Sequence, residues 1–157
     1  IENMADIIIE EEYKKLKYNL PDFKKLDEEF EISNIQGLED KKFLIRFIRR
    51  KINEKVIFFC RIVESIIYPQ SPNFISLVES RIFNEEEKQG MAEFYKKLMN
   101  YEKESLILDV ESDDKQSVKY INELFSNWSE IKKQMVDITK KMQKAWNEKE
   151  KRENYTF

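Results

Sequence analysis

Between Asp40 and Ile67 the chain runs 28 residues without a glycine or a proline. The first break is Tyr68-Pro69, where the proline ring forbids a further helical turn. Leu44, Ile48, Ile52, Phe59 and Ile66 recur through this stretch at helical spacing, which predicts one long central helix with an apolar face. The whole sequence holds two glycines and three prolines in 157 residues. Sheets joined by tight turns need far more, so the chain is confined to long helices linked by few breaks.

The remaining punctuation divides the chain. A segment from Met4 to Tyr18 is followed by a short amphipathic helix carrying Phe23, Leu26 and Phe30, with Pro21 expected at its first helical position. Ile7, Ile8 and Ile9 can open either a helix or a strand. Asn34-Ile35-Gln36-Gly37 reads as a turn. Ser71-Pro72 predicts a helix start ahead of Phe74, Ile75, Leu77, Val78 and Ile82. Asn84-Glu85-Glu86-Glu87 predicts another, with an asparagine cap and Glu87 closing a capping box. Behind it Met91, Phe94, Tyr95, Leu98, Tyr101 and Leu108 form an apolar face. After Ser112-Asp113-Asp114 a final helix carries Val118, Ile121, Phe125, Trp128, Ile131, Met135, Ile138, Met142 and Trp146, a narrow coiled-coil-like seam.

These signals predict an all-α fold. The expected form is a single-domain bundle of five or six helices with two long ones, at about 40–67 and 113–150, within a domain spanning 1–157. Residues 1–36 supply short helices and a turn, 40–150 the main bundle, and 151–157 a frayed tail. The apolar content of 41% is enough for a sizeable core at this length.

Histidine is absent, which removes the commonest general base, the usual partner of serine and cysteine nucleophiles, and the commonest metal ligand. One cysteine cannot form a thiolate metal site, and two glycines cannot line a phosphate-cradling loop. No cofactor, metal or catalytic group is therefore expected. A lone cysteine and the lack of a leader-like segment point to a cytoplasmic protein, and the longest apolar run, Val56 to Cys60, is too short for a membrane span.

Charge is arranged in blocks. Residues 1–39 and 79–114 carry 11 acidic and 5 basic side chains each, whereas residues 40–61 carry 8 basic and 2 acidic. Three of the six arginines lie within Arg46–Arg50, in a chain with 22 lysines. Lys42, Arg46, Arg49 and Arg50 share a stripe on the central helix, a candidate surface for phosphate or an acidic partner, because the guanidinium fork matches such oxygens bidentately. The same stripe can instead pair with Glu28, Glu29 and Glu31 or with Glu85 to Glu87. Phe43, Phe47 and Phe58 beside it are expected on the core side rather than as base-stacking platforms.

Two further constellations bear on chemistry. Glu28 with Glu31 and Glu111 with Asp114 have the i, i+3 spacing that places two carboxylates on one helix face. This resembles the paired motifs of all-α nucleotide pyrophosphatases of the MazG type, in which such pairs hold magnesium. The likeness covers those residues alone, and helix starts attract acids as caps. The order of a basic helix, a loop and the acid-capped Asn84–Glu87 start resembles the helical core of GINS replication subunits, from which no residue role is carried over.

Cys60 and Trp128 are expected in the core. Met142 and Trp146, at the end of the seam and rimmed by Lys141, Lys144 and Lys149, form a candidate protein interface. The sequence as a whole points to a non-enzymatic interaction protein that binds a protein partner or a second copy of itself. A nucleic-acid partner through the Arg46/Arg49/Arg50 stripe is the alternative, a magnesium-dependent nucleotide hydrolase is third, and no membrane partner is expected.

Overall fold

The computed structural model describes residues 7–70 and 73–147. Six helices form an all-α bundle, and no strand occurs among the described residues. They are α1 (Ile9–Lys14), α2 (Phe23–Phe30), α3 (Leu44–Ile67), α4 (Phe74–Arg81), α5 (Glu85–Glu111) and α6 (Asp114–Asn147). Short 3-10 turns at Ile32–Asn34 and Lys41–Phe43 follow α2 and lead into α3. The expected start at Ser71-Pro72, the end of the last helix beyond Asn147 and the tail at 151–157 lie outside the described residues.

Local capping explains the boundaries. Ile7 and Ile8 are non-helical and Ile9 opens α1. Pro21 is not the first helical residue of α2. Asp22 caps that helix by accepting the Lys25 amide at 3.3 Å, while the Pro21 carbonyl accepts the Tyr13 hydroxyl. Asn73 caps α4 through the Ser76 amide at 3.3 Å. The capping box at Asn84 is complete: its side chain accepts the Glu87 amide at 2.7 Å, and Glu87 accepts the Asn84 amide at 3.1 Å. Between α5 and α6 a single left-handed residue, Ser112 (φ 56°), ends one helix, and Asp113 caps the next through the Gln116 amide. Gly37 takes φ 77° in the loop before α3, a conformation that glycine adopts without strain.

Two compact units can be distinguished, and the boundaries at Ile57, Met99 and Asn127 fall within α3, α5 and α6. Unit 1 comprises residues to Ile57 together with Asn100–Asn127, and unit 2 comprises Phe58–Met99 with the residues from Trp128 onward. In unit 1, α1, α2 and the first 3-10 turn pack together. Tyr13 and Phe23 stand 5.3 Å apart between ring centroids, and Leu26, Phe30 and Ile32 are buried. The core continues through Leu44, Ile48, Ile52, Val56, Leu108, Ile121 and Leu124. Burial, aided by Asp22, raises the Tyr13 hydroxyl pKa to about 12.

In unit 2 the core is built on Phe59 stacked against Trp128, with centroids 5.1 Å apart and planes within 8°. Val63, Ile66, Met91, Phe94, Leu98, Ile131 and Met135 are among the other large buried side chains of this unit's helices. The Ser80 hydroxyl, also buried, donates to the Ile66 carbonyl at 2.8 Å and so ties α4 to α3. Cys60 is buried, as its apolar surroundings in sequence suggest.

Candidate functional site

The basic stripe is split by burial. α3 buries Leu44, Ile45, Ile48, Arg49, Ile52, Asn53 and Val56. These recur as adjacent pairs four residues apart, so about half of the helix circumference is covered rather than a narrow seam. Arg49 falls inside that arc and is fully buried, which removes it from the expected surface. Its Nε donates to Ser117 Oγ at 3.1 Å, and Nη1 donates to the Ser105 carbonyl at 2.8 Å and to Ser105 Oγ at 2.6 Å. Nη2 donates to Asp109 Oδ1. A buried guanidinium with this many partners acts as a structural clamp, because α5 and α6 supply every acceptor.

Asp109 also accepts Arg50 Nε at 3.0 Å. Burial alone would raise its pKa, but the hydrogen bonds from Arg49 and Arg50 outweigh that effect and hold the carboxyl below its ordinary value. Asn53 and Tyr120 extend the buried polar layer through a 3.3 Å hydrogen bond. The expected acidic partners, Glu28 to Glu31 and Glu85 to Glu87, are not those that hold Arg49. The sequence signal for the true set was the gap that Ser105 leaves between Tyr101 and Leu108 on the apolar face of α5.

Lys42 and Arg50 remain exposed, and Arg46 is half-buried. Lys42 Nζ and the Arg46 guanidinium carbon lie 4.9 and 5.0 Å from the Phe43 centroid, and the Arg50 guanidinium carbon lies 5.8 Å from that of Phe47. Phe43 and Phe47 are half-buried rather than core, and Phe58 is 57% exposed, contrary to its expected place. Next to Phe47 and Arg50, a cleft of about 490 Å³ opens between α3 and the Asn34–Gln36 loop.

The carboxylate pairs do not form the expected faces. Glu31 is the left-handed cap beyond α2, and Glu111 and Asp114 sit on different helices either side of the Ser112 break. Among the described residues, no group of three or more acidic or thiol side chains could hold a metal ion.

At the end of the seam, Met142 and Trp146 are half-buried, and Trp146 Nε1 donates to Glu79 Oε1 on α4 at 3.3 Å. The indole is engaged by its own chain, and Ala145 is the buried residue of that turn. Leu124 and Ala145 take the core positions expected for Phe125 and Trp146, each one residue earlier. Nearby, Lys141 pairs with Glu87 and lies 5.3 Å from the Phe83 centroid, and the Lys141 and Asn84 hydrogen bonds lower the Glu87 pKa. A shallow groove of about 350 Å³ beside this contact is lined by Phe83, Met91, Phe94 and Ile138.

One surface was not anticipated. On the outer face of α5, Leu106, Ile107 and Val110 are 45%, 55% and 87% exposed. The sequence signal was the run Leu106-Ile107-Leu108, in which only the third residue fits the buried face.

Among the described residues no helix is long and apolar enough to cross a membrane. No protein-family model matches the chain. Neither a curated protein nor a solved structure matches it.

Proposed function

We propose that this protein is a helical interaction module, with no catalytic role, that works through the outer face of α5. The observation that carries this reading is the exposure of Leu106, Ile107 and Val110 together, with Val110 at 87%. Three large apolar side chains adjoining on one helix face are a contact surface in waiting, because leaving them wet forfeits the hydrophobic gain of covering them.

The occupant we favour is a second copy of the chain. Lys103 and Glu111 lie the same number of residues before and after Ile107. Two α5 helices crossing antiparallel about a two-fold axis at Ile107 bring Lys103 of each copy to Glu111 of the other. Ile107 then meets its own counterpart, flanked by Leu106 and Val110. A patch of this size supports a weak, concentration-dependent dimer rather than an obligate one.

Sedimentation velocity over a wide concentration range tests the reading. The wild type is expected to shift from monomer towards dimer as concentration rises, and Ile107→Asp with Val110→Asp is expected to stay monomeric with an unchanged helical spectrum. A wild type that stays monomeric at the highest attainable concentration would remove the second copy as occupant.

A further inference from the structure

The cleft between α3 and the Asn34–Gln36 loop, in unit 1, has the chemistry of a small-ligand site. Its volume of about 490 Å³ lies within the roughly 300–1,000 Å³ typical of such sites. Three kinds of group line it. Phe47 and Ile35 supply an apolar wall, with Phe47 half-buried and the Arg50 guanidinium carbon 5.8 Å from its ring centroid. Arg50 and Lys51 supply positive charge. Asn34 and Gln36 supply two amide side chains, each both donor and acceptor, and neither finds a hydrogen-bond partner among the described residues.

The cations keep capacity for a ligand. Arg50 gives Nε to Asp109 at 3.0 Å, and its terminal nitrogens make no hydrogen bond within the described residues. That edge of the fork is the one that grips a phosphate bidentately. Asp109 fixes the root of the guanidinium, so the fork is partly preorganised. Lys51 meets only a loose ion pair with Glu54, at 3.5 Å, and Glu54 is 68% exposed. Glu54 is the one acidic group lining the cleft, which leaves a net positive site.

We propose that this cleft binds a nucleotide: the phosphate on Arg50 and Lys51, the base on the face of Phe47, and the base edge on the amides of Asn34 and Gln36. A bare anion would use only the cations, and an apolar molecule only the wall. A ligand that joins a planar ring carrying polar edges to a phosphate uses all three groups. The nucleotide can be free or can stand at the end of a single strand, since both present the same chemistry.

Isothermal titration of the full chain with adenosine and uridine 5′-monophosphate tests the assignment, beside inorganic phosphate, adenosine and a short single-stranded oligonucleotide. Saturable binding of at least one monophosphate is expected, about tenfold tighter than inorganic phosphate. Amide chemical shifts should move at residues 34–36 and 47–51. Lys51→Ala and Phe47→Leu should each weaken binding several-fold, and these variants leave the Asp109 clamp intact if Arg50→Ala disturbs folding. An oligonucleotide that binds tighter than the monophosphate identifies a strand end as the source, and equal affinity identifies the free nucleotide. The proposal is overturned if no nucleotide or oligonucleotide saturates, if phosphate binds as well as nucleotide, or if affinity is unchanged in the Lys51→Ala, Phe47→Leu double variant.

Discussion

Unit 1 is held together around a buried cation, whereas unit 2 is held together around stacked rings. In unit 1 the guanidinium of Arg49 gathers Ser105, Asp109 and Ser117 from α5 and α6, and Asn53 with Tyr120 adds a second polar contact. In unit 2 the buried side chains include the Phe59–Trp128 stack with further aliphatic, methionine and phenylalanine residues, and Ser80 is the buried polar residue of α4. The two designs differ in what a substitution costs. Apolar packing loses contacts in proportion to the volume removed. A buried charge network instead depends on every partner, and removing one strands the rest. It also restricts register, because serine and aspartate acceptors must face Arg49 at one place along each helix. Unit 1, which also contains the exposed α5 face and the α3 cleft, is thus the more precisely keyed of the two.

The largest expected effects come from the two centres. Arg49→Ala should destabilise unit 1 by about 3–5 kcal/mol, because two buried serine hydroxyls lose their partner and Asp109 keeps only Arg50. Trp128→Ala should cost about 3–5 kcal/mol in unit 2 through lost packing. Denaturant unfolding of both variants checks these values. Adding Asp109→Leu to Arg49→Met should recover much of the loss seen in Arg49→Met alone, since a charge network can be replaced as a whole but not in part. No repair of that kind is expected for Trp128→Ala. Equal behaviour at both sites would break the distinction.

The next effect is on pH dependence. Because the Asp109 pKa is lowered on folding, its contribution is fully present above the ordinary aspartate value of about 3.9 and is lost as pH falls through the lower folded value. Stability measured from neutral to acid pH should therefore fall less steeply below about pH 4 in Asp109→Asn than in the wild type. Parallel curves would mean that the carboxylate gains nothing from its two arginines.

Smaller effects are expected at the caps and the surface. Asn84→Ala should cost about 1 kcal/mol by removing the α5 capping box, read as a shift in the denaturation midpoint. Phe58→Ala should cost less than about 0.5 kcal/mol, since the ring is largely in water. A large loss at Phe58 would place it in the core of unit 2.

Much of the fold was legible because helix signals are local. The Asn84 box, the Asp113 start, and the apolar faces marked by Leu44, Ile48 and Ile52 in α3 and by Met91, Phe94 and Leu98 in α5 follow from residues within a few turns of each other. What failed depended on how many neighbours a helix has. A stripe of lysine and arginine reads as a surface when one face of α3 is taken as buried; cover about half of its circumference and Arg49 lies inside while Arg46 and Arg50 stay out. The same one-residue ambiguity moved the α6 seam from Phe125 to Leu124 and from Trp146 to Ala145, because adjacent residues lie 100° apart and both can border a core. The cleft beside Phe47 was not legible at all, since it joins a loop at residues 34–36 to α3 side chains that begin eleven residues later, at Phe47.

The most direct test of the account is the side-chain Nε–H resonance of Arg49, observed by NMR in the intact chain. A clamp that is fully buried and bonded to Ser117 predicts slow exchange of this proton with solvent and no response to added phosphate or nucleotide, while Arg46 exchanges rapidly. Rapid exchange at Arg49, or a shift on adding phosphate, would contradict the account and return this arginine to the surface as a ligand-binding group.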